Sequence, residues 1–122
     1  MTAANFSLKT SMDDRGPATV TVTVTGEVDA TNAARFTAAV AQIAAERATV
    51  LDLSDLIYLD SAGFATLHRI IADHVVAIAL PSHSPLHKAA VLMGLPHHDA
   101  SKDAASALSE SGRGGGDQRN GG

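Results

Sequence analysis

No segment constrains this chain more than residues 19–25, which read Thr-Val-Thr-Val-Thr-Val-Thr. Strict alternation at period two sends Val20, Val22 and Val24 to one face and the threonines to the other. Residues branched at Cβ suit a pleated strand and lose side-chain freedom in a helix. Such a strand has one dry face, and the rest of the chain must supply its cover. Residues 5–11 alternate more weakly, with Phe6 and Leu8 on one side. Between the two runs, Asp13-Asp14-Arg15-Gly16-Pro17 has the acidic residues, glycine and proline of a turn. An antiparallel hairpin is therefore expected at the start.

The remainder alternates between helical and strand patterns. Gly26-Glu27-Val28-Asp29 ends the strand and leads into a helix near 32–46. Asn32 or Thr31 caps it, and Phe36, Val40, Ile43 and Ala44 share one face. Thr49–Leu53 reads as a short central strand and Ser54-Asp55 as a turn, after which Leu56–Leu59 carries the chain back to the core. Asp60-Ser61-Ala62-Gly63 opens a second helix with Phe64, Leu67, Ile70 and Ile71 inside, fading near Asp73 and His74. Val75–Leu80 is a continuous apolar run, as in an inner parallel strand buried on both faces, and Pro81 stops it. Pro85–Met93 forms a third helix with Leu86, Ala89, Ala90 and Met93 on one face and Gly94 as its stop. Lys102–Ser109 supplies a short terminal helix containing Ala104, Ala105 and Leu108. From Ser111 the chain is glycine-rich and has nothing to bury. The expected fold class is α/β: a mixed sheet of about four strands with an opening hairpin, packed by three to four helices. One domain is expected over 1–110, with a disordered glycine-rich tail over 111–122.

Composition removes several kinds of chemistry. A chain of 122 residues suits one domain. The absence of cysteine excludes disulfides, thiolate metal sites and cysteine nucleophiles. A net charge of -4 argues against a nucleic-acid surface, which needs a basic stripe. No apolar run approaches the roughly 20 residues that span a bilayer, and the Met-Thr-Ala-Ala-Asn start has no secretory-signal pattern. A cytoplasmic protein is expected. Of the six histidines, His68, His74, His83, His87, His97 and His98, the pair His83 and His87 would share a helix face only if the third helix began before Pro85, no acidic residue stands at ligand spacing beside that pair, and no thiolate is available. They are read as solvated or loop residues, with no metal and no cofactor. Ser61 lacks the Gly-x-Ser-x-Gly elbow of a serine hydrolase, and no phosphate-loop or dinucleotide fingerprint is present. An enzyme is not expected.

Two segments are more specific. Gly26-Glu27-Val28-Asp29 follows an alternating strand and precedes a helix. The second is Val50-Leu51-Asp52-Leu53-Ser54-Asp55-Leu56-Ile57-Tyr58-Leu59-Asp60-Ser61-Ala62-Gly63, whose Asp60 lies about thirty residues after Asp29. Together, in this order, they resemble the STAS family of anti-sigma factor antagonists, and Met93-Gly94-Leu95 looks like that family's late helix end. The resemblance covers about residues 5–110. It implies a single-domain antagonist that binds an anti-sigma factor, itself a serine kinase using ATP, and so frees a sigma factor for transcription. It also implies that the kinase phosphorylates Ser61, that the complex then separates, and that a serine phosphatase resets the cycle. The implied partner-binding residues are Asp29, Asp60, Ser61, Ala62 and Gly63.

Elementary chemistry is compatible with that role. A hydroxyl at or beside a helix N-cap lies near the surface, among free amides that tolerate a phosphate. Phosphorylation adds roughly -1.5 to -2 charges beside Asp60, with Asp29 expected nearby. Gly63 leaves room in the first turn for another backbone to approach. Asp29 is either a turn carboxylate or a partner contact that helps orient the acceptor hydroxyl, while Asp52 and Asp55 read as structural. The alternative functional reading is a STAS scaffold or sensor module in a signalling assembly that is never phosphorylated. A small-ligand-binding domain is a third, for which the sequence offers no site.

Overall fold

A computed structural model describes residues 4–12 and 19–109. The expected turn at 13–17 and the glycine-rich tail at 111–122 lie outside the described residues. In chain order the elements are β1 (Phe6–Met12), β2 (Thr19–Val28), α1 (Ala33–Ala44), β3 (Ala48–Asp52), β4 (Leu56–Leu59), α2 (Ser61–Asp73), β5 (Val76–Ala79) and α3 (His87–Leu92). A further helix, α4, covers residues 101–109.

Strands β1 and β2 form the antiparallel hairpin, with Leu8 opposite Val24 and Met12 opposite Val20. β3 joins β2 in parallel and β5 joins β3, so β3 is central. The fifth strand is the segment read only as a return to the core. Leu56–Leu59 pairs in parallel with the far end of β2, after the register shifts between Gly26 and Glu27. Gly26 makes that shift possible. Its φ is +95°, and a Cβ there would overlap the Asn5 carbonyl oxygen, which accepts from the Glu27 amide at 2.8 Å. Only glycine combines that backbone angle with so close a crossing.

The main core lies under the helices. Val22, Val24 and Val28 of β2 meet Phe36 and Val40 of α1, Leu51 of β3 and Phe64, Leu67 and Ile70 of α2. Ile43, Ala44 and Ile71 pack at its margin, so the sequence-derived helix faces are those that are buried. Phe6 adds an edge-to-face contact with Phe36 at 5.4 Å between ring centroids. Two expectations need correction. Met93 does not join the buried face of α3: it is exposed, while Leu86, Ala90 and Leu95 are buried. β5 is fully buried, yet it ends the strand order instead of lying inside it. His98 shields that edge, accepting from the Leu80 amide and donating to the Ile78 carbonyl, both at 2.8 Å.

The opposite face of the sheet is divided. α4 covers the β3–β5 half, where Ala104 and Leu108 pack on Val50, Ala77 and Ala79. Over β1 and β2 the face carries an open polar groove of about 550 Å³ lined by Ser7, Lys9, Ser11, Thr23, Thr25 and Asp55. Asp52 holds α4 in place, accepting from the Ser101 hydroxyl at 3.0 Å with one oxygen and from the Ser54 amide and hydroxyl with the other. Asp52→Ala is expected to cost about 1–2 kcal/mol. Amide exchange should then accelerate in residues 101–109 before the rest of the fold, and unchanged exchange there would show that apolar packing alone holds α4.

Candidate functional site

The two motif segments meet at one end of the sheet, where β2 passes into α1 and β4 into α2. The first crossing is a tight loop. One Asp29 carboxylate oxygen accepts from the Thr31 amide at 2.9 Å and from the Thr31 hydroxyl at 2.5 Å. Asn32 completes the loop from inside. It is only 2 % exposed, accepts from the Asp29 amide at 2.9 Å and donates to the Glu27 carbonyl at 3.0 Å. Asn32 and Thr31 therefore serve the loop, and the N-cap position of α1 has no side-chain cap bond. A short polar side chain that can bond its own backbone satisfies whichever amide the loop orphans.

The second crossing puts Ser61 beside the cap, one of the two positions expected for it. Asp60, not Ser61, is the N-cap of α2, its extended backbone leading into the helix and one carboxylate oxygen accepting from the Gly63 amide at 2.9 Å. Its other oxygen accepts from the Ala30 amide at 3.3 Å. One carboxylate thus caps the helix and ties it to the Asp29 loop, across thirty residues of sequence. The Asp60 amide completes the junction, donating to the Val28 carbonyl at 3.4 Å.

Ser61 is the first residue of α2 and is exposed, while Ala62 is half-buried and Gly63 buried. Gly63 is explained within the chain itself. A Cβ there would overlap Leu59 Cδ1 and come within 3.0 Å of the Val28 carbonyl oxygen. The backbone that approaches it is therefore the protein's own.

Hydrogen bonding sets the electrostatics of the loop. The Thr31 hydroxyl, and then the Thr31 amide, hold the Asp29 carboxyl below its ordinary pKa, with partial desolvation opposing them. A depressed folded-state pKa contributes stability that is present above the unfolded value and is lost as pH falls through the folded one. In Thr31→Val the hydroxyl donor is gone and the amide remains, so the Asp29 pKa is expected to rise toward the ordinary carboxylate range. Carboxyl-detected NMR titration measures this directly, and an unchanged midpoint would remove Thr31 as the cause.

Sequence reasoning missed Ile57 and Tyr58, which stand just before this junction with 67 % and 50 % of their surface exposed. The available signal was that Leu56-Ile57-Tyr58-Leu59 cannot send four apolar side chains inward from a single strand. Only Leu56 and Leu59 are buried. Elsewhere, His68 Nε2 meets the Met93 carbonyl at 3.2 Å, and the His87 and His97 rings pack edge to face at 5.2 Å. Among the described residues no three His, Asp or Glu side chains gather as a metal site, and no helix is long and apolar enough to cross a membrane.

Residues 11–96 match the family model described as Mlab, STAS domain. No curated protein matches the sequence. Among solved structures, the fold is similar to that of an anti-sigma factor antagonist from Mycobacterium paratuberculosis. That likeness has a TM-score of 0.67 and 21 % identity, covering 86 % of this chain and 95 % of that one. It is also similar to the anti-sigma factor antagonist SpoIIAA in its unphosphorylated form, with a TM-score of 0.59 and 19 % identity over 88 % of this chain and 97 % of that one. An antisigma-factor antagonist STAS domain from Rhodobacter sphaeroides gives a TM-score of 0.50 at 14 % identity, over 62 % and 84 % of the two chains. At these identities the likeness is one of fold.

Proposed function

The chain belongs to the STAS domain family, and from that premise we propose that it is an anti-sigma factor antagonist switched off by phosphorylation of Ser61. In its unmodified form it binds an anti-sigma factor that is also a serine kinase, and the sigma factor held by that kinase is released. The kinase then transfers phosphate to Ser61. The Ser61 hydroxyl oxygen attacks the γ-phosphorus of ATP, the bond to the β-phosphate oxygen breaks, ADP leaves, and the hydroxyl proton passes to a base on the kinase. The complex separates, and a serine phosphatase restores the hydroxyl. This chain is the substrate of phosphoryl transfer and not its catalyst, and such a role puts it in the cytoplasm.

One observation carries the reading. Ser61 presents an exposed hydroxyl at the first residue of α2, on a junction where the Asp60 carboxylate links both motif segments. Capping falls to Asp60, so among the described residues esterification of Ser61 removes no hydrogen bond that holds the fold. Asp29, Asp60, Ser61 and Ala62 form the partner-binding surface, and Gly63 supports it from beneath.

Incubation with candidate anti-sigma kinases and ATP, read by intact mass, tests the proposal. Wild type is expected to gain one phosphate and Ser61→Ala none. A kinase that binds the wild-type chain firmly yet never modifies it would favour a constitutive scaffold or sensor module.

A further inference from the structure

Ile57 and Tyr58 expose adjacent apolar side chains on β4, four and three residues before Ser61. β4 pairs with β2 alone, so among the described residues no strand covers its other edge. Leu56 and Leu59, their neighbours in the strand, are buried, so the exposed pair rests on a fixed support. An isoleucine and a tyrosine held rigidly in this way have the character of an interface centre, where aromatic anchors carry most of the binding and charge is confined to the rim.

Within the two motif segments the charge has one sign, and Lys9 of β1 lines the polar groove that Asp55 also lines. Glu27 is the register partner of Tyr58 across β2 and β4, and Asp55 stands at the entrance to β4. Over residues 26–32 and 54–63 the charged side chains are Glu27, Asp29, Asp55 and Asp60, with no lysine or arginine. An apolar pair within a carboxylate rim selects a partner that offers an apolar cleft edged by cations.

We infer that Ile57 and Tyr58 are the apolar anchors of this surface, and that its occupant is a protein face with an apolar cleft rimmed by lysine or arginine. Resting on the reading above, that occupant is the anti-sigma kinase. Its transferring centre, with the nucleotide phosphates, faces Ser61, and its basic rim faces Glu27 and Asp55. The two charge environments are compatible because they meet different parts of the junction.

The test uses the full chain and the kinase that phosphorylates Ser61 in the experiment above. Ile57→Ala and Tyr58→Ala are each expected to weaken binding about tenfold or more. Leu92→Ala, which trims another exposed apolar residue (78 % exposed) on α3, should leave binding within about twofold, as should Tyr58→Phe. Both anchors are exposed, so circular dichroism and melting temperature should match wild type. Wild-type affinity should fall as salt rises from about 0.1 to about 1 M, which shortens the Debye length from about 10 to about 3 Å. If both alanine variants bind like wild type while Ser61→Glu is released, the anchors are wrong and the phosphorylation switch stands. If affinity ignores salt, the basic rim is wrong. If no kinase binds the wild-type chain, both readings fall together.

Discussion

Ser61→Glu is expected to lose partner binding by about a hundredfold or more, whereas Ser61→Ala binds like wild type. Ser61 is exposed at the start of α2 and its neighbour Asp60 makes the cap, so neither substitution removes a contact within the fold. Glutamate adds a full negative charge to a junction that already carries Asp60 and Asp29. In the proposed complex that charge would face the nucleotide phosphates of the kinase and would also have to leave water. Like-charge apposition and desolvation in an interface cost several kcal/mol, and about 3 kcal/mol corresponds to roughly a hundredfold in Kd. The phosphate itself carries about -1.5 to -2 charges and is bulkier, so its effect should be larger still. Calorimetry or surface-plasmon titration of both variants, at equal melting temperature, reads the difference. Binding of Ser61→Glu at wild-type strength would mean that charge at this position does not control the complex.

The second large effect concerns stability. Gly63→Val is expected to destabilise the protein by about 3 kcal/mol, in the range for overpacking a closed core. A Cβ at residue 63 already overlaps Leu59 Cδ1 and reaches 3.0 Å from the Val28 carbonyl oxygen. Leu59 and Val28 are both buried core residues. The tip of Leu59 can rotate, so alanine should cost less than valine. The Val28 carbonyl cannot yield as easily, because it belongs to β2 and accepts from the Asp60 amide. Valine adds two further carbons in the same space and must move one of these strands. For a domain of this size the melting temperature should fall by about 10 °C. A drop of less than about 2 °C would show that the α2–β2 contact is looser than its geometry.

Where burial follows a local period, the structure agrees with the chain read residue by residue. The valines of β2, Phe36 and Val40 of α1, and Phe64, Leu67 and Ile70 of α2 all lie inside, because each face is set by the repeat of its own element. Ala104 and Leu108 of α4 follow the same rule. The candidate site was legible as two motifs and a serine at a helix start, but its wiring was not. Ser61 and Asp60 both had the chemistry of a cap, and only the three-dimensional turn decided that Asp60 bonds Gly63. Asn32 had the same ambiguity, which its bond to the Glu27 carbonyl resolves.

By itself, then, the sequence determined the alternating strands, the buried faces of the helices, the α/β order and the serine at the head of α2. All of these depend on neighbours within a few positions. Tertiary structure alone decided that Leu56–Leu59 becomes a strand, that Ile57 and Tyr58 face water, and that the space beside Gly63 is taken by the Leu59 side chain and the Val28 carbonyl. It also decided that Asp60 joins Ala30 across thirty residues and that Asp52 meets Ser101 across forty-nine. Those outcomes depend on which distant segments are brought into contact, and a local pattern of polar and apolar residues carries no information about its partner.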